Sequence, residues 1–348
     1  MWRFYEFRSF EELVRGTDAD VKVVIIHPRN ARNQGFVKLA RVKAMSYRSD
    51  GSHYGPSYLQ LVDGTKLMKT LEYWKRYGPE KGQIYAKSYF ANFLSSIYYK
   101  GGCIPFHVKL PDENLNAVLQ NSLIIGIGTK RTGNSIYKGV AIVMTGYGNV
   151  VALISKDFRL LEGKSYEFNE EEIKKFREEI KRHIDAYIKG LGTPPELVIV
   201  IRSRMFLGKE VETLLSADSE NDEFERRLAT KLTSKFWWRR YFKRVLVMSV
   251  YKTKYSFDKD VAILASHRDE KQGISGVWFM QLRKQKYATQ IVWYYTEKDA
   301  KLPLAAYLYI RALDFTSLHE SRIIPFPIRV ARRYLRWVIA RGAPAPST

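Results

Sequence analysis

Cysteine is nearly absent: of 348 residues one is cysteine, Cys103. A single thiol can form no internal disulfide and no cysteine-based zinc cluster. Long apolar runs are missing too, none approaching the ~20 residues needed to cross a bilayer. The opening MWRFYEFRSFEELVR has neither the apolar stretch nor the small-residue cleavage site of a signal peptide. The six histidines (His27, His53, His107, His183, His267, His319) follow no metal-ligand spacing. There is no GxSxG elbow for a serine hydrolase. Gly126-Ile127-Gly128 lacks the third glycine of a dinucleotide fingerprint, and Gly163-Lys164-Ser165 has Phe158 where a P-loop has its first glycine. Both read as ordinary turns. These absences leave a soluble, cytoplasmic protein with no metal as the expectation.

Acidic residues are also in deficit. Lys and Arg number 58 against 36 Asp and Glu, a formal charge of +22. Counterion release favours binding of such a surface to phosphates without reading sequence, so the charge points to a nucleic acid. An acidic partner or a membrane surface is the plainer alternative. The 23 Tyr, 18 Phe and 7 Trp could stack on bases, although most aromatics serve packing.

Along the chain, Val21–Ile26 (VKVVII) reads as a short buried strand, followed by a turn at His27-Pro28-Arg29-Asn30 and a helix bearing Lys38, Arg41 and Lys43. Further helices are expected over Lys66–Tyr77 and Ala86–Tyr99, the latter stopped by Gly101-Gly102. This alternation suggests a small α/β domain with a parallel sheet, residues 1–117. The second domain, 118–348, opens with strands at Leu123–Ile127, Tyr137–Met144 and Val150–Ile154. Asn169 then caps a helix with apolar positions Ile173, Phe176, Ile180, Ile184 and Ile188, and the strand Leu197–Ile201 follows. Three strands, a helix and a strand is the order that opens a ribonuclease-H-like sheet. Val245–Tyr251, Val261–Ala265, Val277–Leu282 and Gln290–Tyr295 supply further strands, and the tail GAPAPST is expected to be disordered.

The densest basic region, Arg226–Lys254, interleaves cations with Phe236, Trp237, Trp238 and Tyr241. Arg239, Arg240, Lys243 and Lys252 are its candidate nucleic-acid contacts, because basic groups among aromatics can hold phosphates and stack bases. A solvated helix face with inward aromatics would look the same.

Several stretches, taken in order, resemble the Argonaute family. Gln60-Leu61-Val62 and the helix ending in Lys100-Gly101-Gly102-Cys103-Ile104-Pro105 resemble its MID domain. Leu123–Gly128, Leu197–Arg204 and Ile324–Leu335 resemble successive parts of its PIWI domain. The resemblance implies a Rossmann-like MID domain followed by a ribonuclease-H-like PIWI domain, as in a short prokaryotic, perhaps archaeal, Argonaute of MID and PIWI alone. It implies that Lys38, Gln60 and Lys100 hold a guide strand's 5′ phosphate, with His27 and Arg41 as weaker candidates, and it allows a Mg²⁺ ion there. The family has one residue between its lysine and the paired glycines, whereas Lys100 abuts Gly101, so Tyr99 is also a candidate.

Slicing Argonautes use carboxylates to hold two metals. Here the corresponding positions read Gly128, Ser203 and Arg332, and the glutamate finger has no assigned position, Glu162 and Glu167 lying in the stretch where it belongs. The resemblance therefore implies a non-slicing sensor of prokaryotic immunity that binds a guide, RNA by expectation, and a complementary strand, DNA by expectation. It also implies a separate protein in place of the N and PAZ domains, and an effector. An active nuclease using Asp157, Asp218 or Asp222, or a basic scaffold, are the rival readings.

Overall fold

The computed structural model describes residues 22–26, 59–100, 104–131, 136–159, 169–191, 194–206, 210–215, 242–257, 260–265, 269, 273–282, 285–294, 299–314 and 324–342. The chain divides into two compact units: Met1–Phe106 with Phe315–Leu318 and Ala340–Thr348, and His107–Asp314 with His319–Ile339.

In the first unit, β1 (Lys22–Ile26) and β2 (Leu59–Asp63) pair in parallel, as the β-branched run at the start suggests. The chain then enters the helical stretch α1 (Gly64–Lys100), with the Asp63 carboxylate accepting from the Thr65 amide at 2.9 Å. The stretch is broken at Gly78, whose φ of 69° is left-handed. Glycine takes that conformation without a Cβ clash, and Pro79 behind it disfavours continuing the helix. Two helices in tandem result, the second beginning earlier than the sequence suggested.

The second unit is built on an eight-stranded sheet in the order β5-β4-β3-β6-β7-β10-β9-β8. These strands are β3 (Ser122–Arg131), β4 (Ile136–Thr145), β5 (Val150–Arg159), β6 (Leu197–Arg202), β7 (Arg244–Lys252), β8 (Val261–Ala265), β9 (Ile274–Gln281) and β10 (Thr289–Tyr294). The central β3, β6 and β7 run parallel and the other pairings are antiparallel. A three-strand meander followed by two parallel strands is the ribonuclease-H-like arrangement expected above. All six residues of β6 are buried, as a strand covered on both faces must be.

One face of the sheet packs on α3 (Glu170–Leu191) through Ile173, Phe176, Ile180 and Ile184. Asn169 starts that helix, its side-chain oxygen accepting from the Glu171 amide at 2.9 Å. The helices α2 (Glu113–Gln120), α4 (Glu210–Leu215) and α5 (Lys301–Ala312) had no counterpart in the sequence reading. The last helix, α6 (Phe326–Gly342), corresponds to the Ile324–Leu335 motif.

Gly126 and Gly128 lie within β3 and not in a turn, which corrects the sequence reading. Their reason is close approach: a Cβ at Gly126 would come within 2.5 Å of the Pro327 Cβ on α6. Gly126→Ala is therefore expected to overpack this contact and cost ~1–3 kcal/mol, read as a lower urea midpoint at unchanged slope. A midpoint equal to that of the parent would show that α6 yields freely.

Candidate functional site

The carboxyl ends of β3, β6 and β7 share one edge of the sheet. In open sheets ligands bind in the crevice outside the carboxyl ends of parallel strands. Gly128 sits near the end of β3, buried, where a Cβ would meet the Ala331 Cβ at 3.2 Å and the Arg332 nitrogen at 3.3 Å. Ser203 follows β6 directly. Arg332 reaches it from α6, Nη2 donating to the Ser203 hydroxyl at 2.7 Å. Three positions separated by up to 204 residues in the chain thus meet at one point.

The segment that carries Ser203 is tied down from several sides. The Phe206 amide donates to the Tyr294 hydroxyl at 3.2 Å, and Ser249 donates to the Arg204 carbonyl at 2.8 Å. The Ser249 and Tyr294 hydroxyls lie 3.1 Å apart. On the other face of the sheet, Arg202 and Glu210 form a buried ion pair at 2.7 Å. The Arg202 guanidinium also sits 5.3 Å from the Phe206 ring centre.

Burial pushes the Tyr294 hydroxyl above its ordinary pKa, and the same effect, helped by Tyr294, pushes Tyr251 up to about 12 from 10.0. A tyrosine whose folded pKa is raised contributes stability that is complete below pH 10 and is lost as pH climbs toward 12. The melting temperature is therefore expected to start falling above pH 10. A flat profile to pH 12 would show that these hydroxyls ionise without resistance.

The carboxylate-held metal pair implied by the resemblance does not suit these residues. A guanidinium and a hydroxyl offer such ions no anionic ligand, and Gly128 offers no side chain at all. Among the described residues no group of three or more His, Cys, Asp or Glu could hold a metal ion. Of the rival carboxylates, Asp157 is exposed and 3.5 Å from Lys138, while Asp218 and Asp222 lie outside the described residues, as do Glu162 and Glu167.

The remaining candidates fall in different places. Gln60 lies in β2 opposite Val23, and Lys100 is the last residue of α1. Tyr99 is half-buried, and desolvation raises its pKa well above the ordinary value. His27, Lys38 and Arg41 lie outside the described residues, as do Arg239 and Arg240. Lys243 and Lys252 are both exposed but stand at opposite ends of β7. Lys252 is at the carboxyl edge, its ammonium 4.0 Å from the Tyr287 ring centre, beside Lys286 at 5.4 Å. Sequence reading did not single out Lys130, Lys138 or Lys286. The signal available was the strand pattern itself, since all three stand where a strand begins or ends.

Among the described residues no helix is long and apolar enough to cross a membrane. No family model matches the sequence, and no curated protein matches it. Solved structures do. Two structures of Aquifex aeolicus Argonaute match at TM-scores of 0.55 and 0.52, each with 12% identity, over 96% and 94% of this chain. A structure of Clostridium butyricum Argonaute, bound to a guide DNA and a 19-mer target DNA, matches at 0.48 with 14% identity over 91% of this chain and 37% of that one. The chain spans 40% and 41% of the Aquifex chains. The fold is accordingly that of an Argonaute, with a Rossmann-like MID unit followed by a ribonuclease-H-like PIWI sheet.

Proposed function

We propose that this chain is a guide-binding Argonaute that recognises a complementary strand without slicing it. The observation that carries the reading is the meeting of Gly128, Ser203 and Arg332 at the carboxyl ends of β3 and β6. Two clustered divalent cations need anionic ligands, and a guanidinium in their midst repels them. The formal charge of +22 supports a polynucleotide as the bound species.

In this reading base pairing supplies sequence specificity, while the protein holds backbone and shape. Lys38, Gln60 and Lys100 hold the guide's 5′ phosphate, with His27, Arg41 and Tyr99 nearby and a Mg²⁺ ion as an optional companion. The guide is RNA and the target DNA. A separately encoded protein stands in for the N and PAZ domains, and target recognition is passed to an effector in prokaryotic immunity.

The test compares one short RNA carrying a 5′ phosphate with the same RNA carrying a 5′ hydroxyl, at fixed salt. Each charge-assisted hydrogen bond to the phosphate contributes ~1.5–3 kcal/mol, so the expected preference is on the order of 10- to 100-fold. Lys38→Ala and Lys100→Ala should each remove most of it. Equal affinity for both ends would overturn the guide-binding reading and leave a basic scaffold.

A further inference from the structure

Cations gather at the carboxyl edge of the sheet in a way the fold itself does not require. Lys130 near the end of β3 stands directly opposite Lys138 near the start of β4. Like charges so paired across antiparallel strands destabilise a sheet. Lys252 closes β7, and its register partner Thr289 opens β10, with the exposed Lys286 just before it. Arg332, held by Ser203, falls between these pairs in the strand order β4-β3-β6-β7-β10. With neighbouring strands ~4.8 Å apart, that row runs about 19 Å across the strand direction.

A row of separated cations suits a ligand whose negative charges repeat along a line. The lysines over Tyr287 cover an aromatic surface that would otherwise be offered to a base. Backbone contact is favoured over base stacking at this edge. A hydroxyl orients a guanidinium without cancelling its charge, so the Ser203 bond fixes where the Arg332 charge is presented. A guanidinium also matches the geometry of a phosphate's oxygens in a way an ammonium does not.

We infer that this edge clamps the sugar–phosphate backbone of a nucleic-acid duplex, and that Arg332, positioned by Ser203, neutralises one of its phosphates in place of a metal pair. The inference rests on the guide-directed reading above and assigns the paired target strand to this edge.

The experiment uses the full chain loaded with a 5′-phosphorylated RNA guide and complementary DNAs, each carrying one uncharged methylphosphonate linkage. In the parent protein, neutralising one linkage is expected to weaken target binding about 10-fold. In Arg332→Gln, the all-phosphate target should bind about 10-fold more weakly, and that same linkage should no longer matter. The salt slope of log affinity should also become shallower by roughly 0.9 for the lost contact. Arg332→Lys, which keeps the charge and serves as the folding control, should recover part of the loss. Unchanged target affinity and salt slope in Arg332→Gln, with the parent protein binding its target normally, would overturn the clamp. So would a loss that is the same for every methylphosphonate position. Failure of the parent protein to bind any target through a guide would instead overturn the guide-directed reading.

Discussion

Glu210→Ala is expected to lower the stability of the chain by ~3–5 kcal/mol, the cost of stranding a buried charge. Glu210 and Arg202 are 5% and 6% exposed at the side chain and 2.7 Å apart. Neither can reach bulk water to recover its solvation once the other is removed. The carboxylate also opens α4, where its negative charge faces the positive end of the helix dipole. The effect should reach the candidate site, because Arg202 is the last residue of β6 and Ser203 the next along the chain. Chemical denaturation would show the lower midpoint. The pair Arg202→Met with Glu210→Leu should regain most of the loss, since replacing both partners leaves no unpaired charge. A loss below about 1 kcal/mol in Glu210→Ala would mean that the pair behaves like an exposed one.

Installing carboxylates at all three degenerate positions is expected to weaken target binding and to create no nuclease. Arg332→Asp removes a cation from the edge and puts an anion in front of a phosphate. Loss of a charge-assisted contact of ~1.5–3 kcal/mol, together with the added repulsion, gives a fall on the order of 100-fold in target affinity. Gly128→Asp cannot supply its carboxylate at the depth a metal would need without displacing α6, because the Cβ already meets Ala331 at 3.2 Å. Ser203→Asp on its own gives a single anionic ligand. Incubation of the triple variant with guide, labelled target and Mg²⁺ or Mn²⁺ would test this, and a discrete cleavage product would contradict it.

Much of the sheet was legible because its strands advertise themselves. β3, β6 and β7 are β-branched runs bounded by polar residues, and Val261–Ala265 was read with the bounds it has. The helix α3 was legible from its apolar spacing and its Asn169 cap. Other helices hid for identifiable reasons. Pro303 argued against α5, yet it lies in the first turn, where a missing N–H costs little. The α2 helix is eight residues long, too short for a periodic pattern, and its only strong mark is Asp112, which accepts from the Leu115 amide at 3.0 Å.

The two glycines of β3 were misread because a local pattern cannot report the approach of a helix some 200 residues later. The same limit applies to the site. Lys243 and Lys252 are near neighbours in sequence, but a strand between them carries one to each end of the sheet. Conversely, Gly128, Ser203 and Arg332 are scattered in the sequence, and only the order of motifs suggested that they meet. What brings them together is topology: parallel β3 and β6 side by side, with α6 packed on the glycines.

The most direct test of a guide-directed, non-slicing protein is target fate. The chain is loaded with a 5′-phosphorylated RNA guide and given complementary or mismatched labelled DNA, with Mg²⁺ or Mn²⁺ present. The account predicts retention of the complementary strand, release of the mismatched one and full-length DNA throughout. Cleavage at a fixed distance from the guide's 5′ end, or retention of both strands alike, would contradict it.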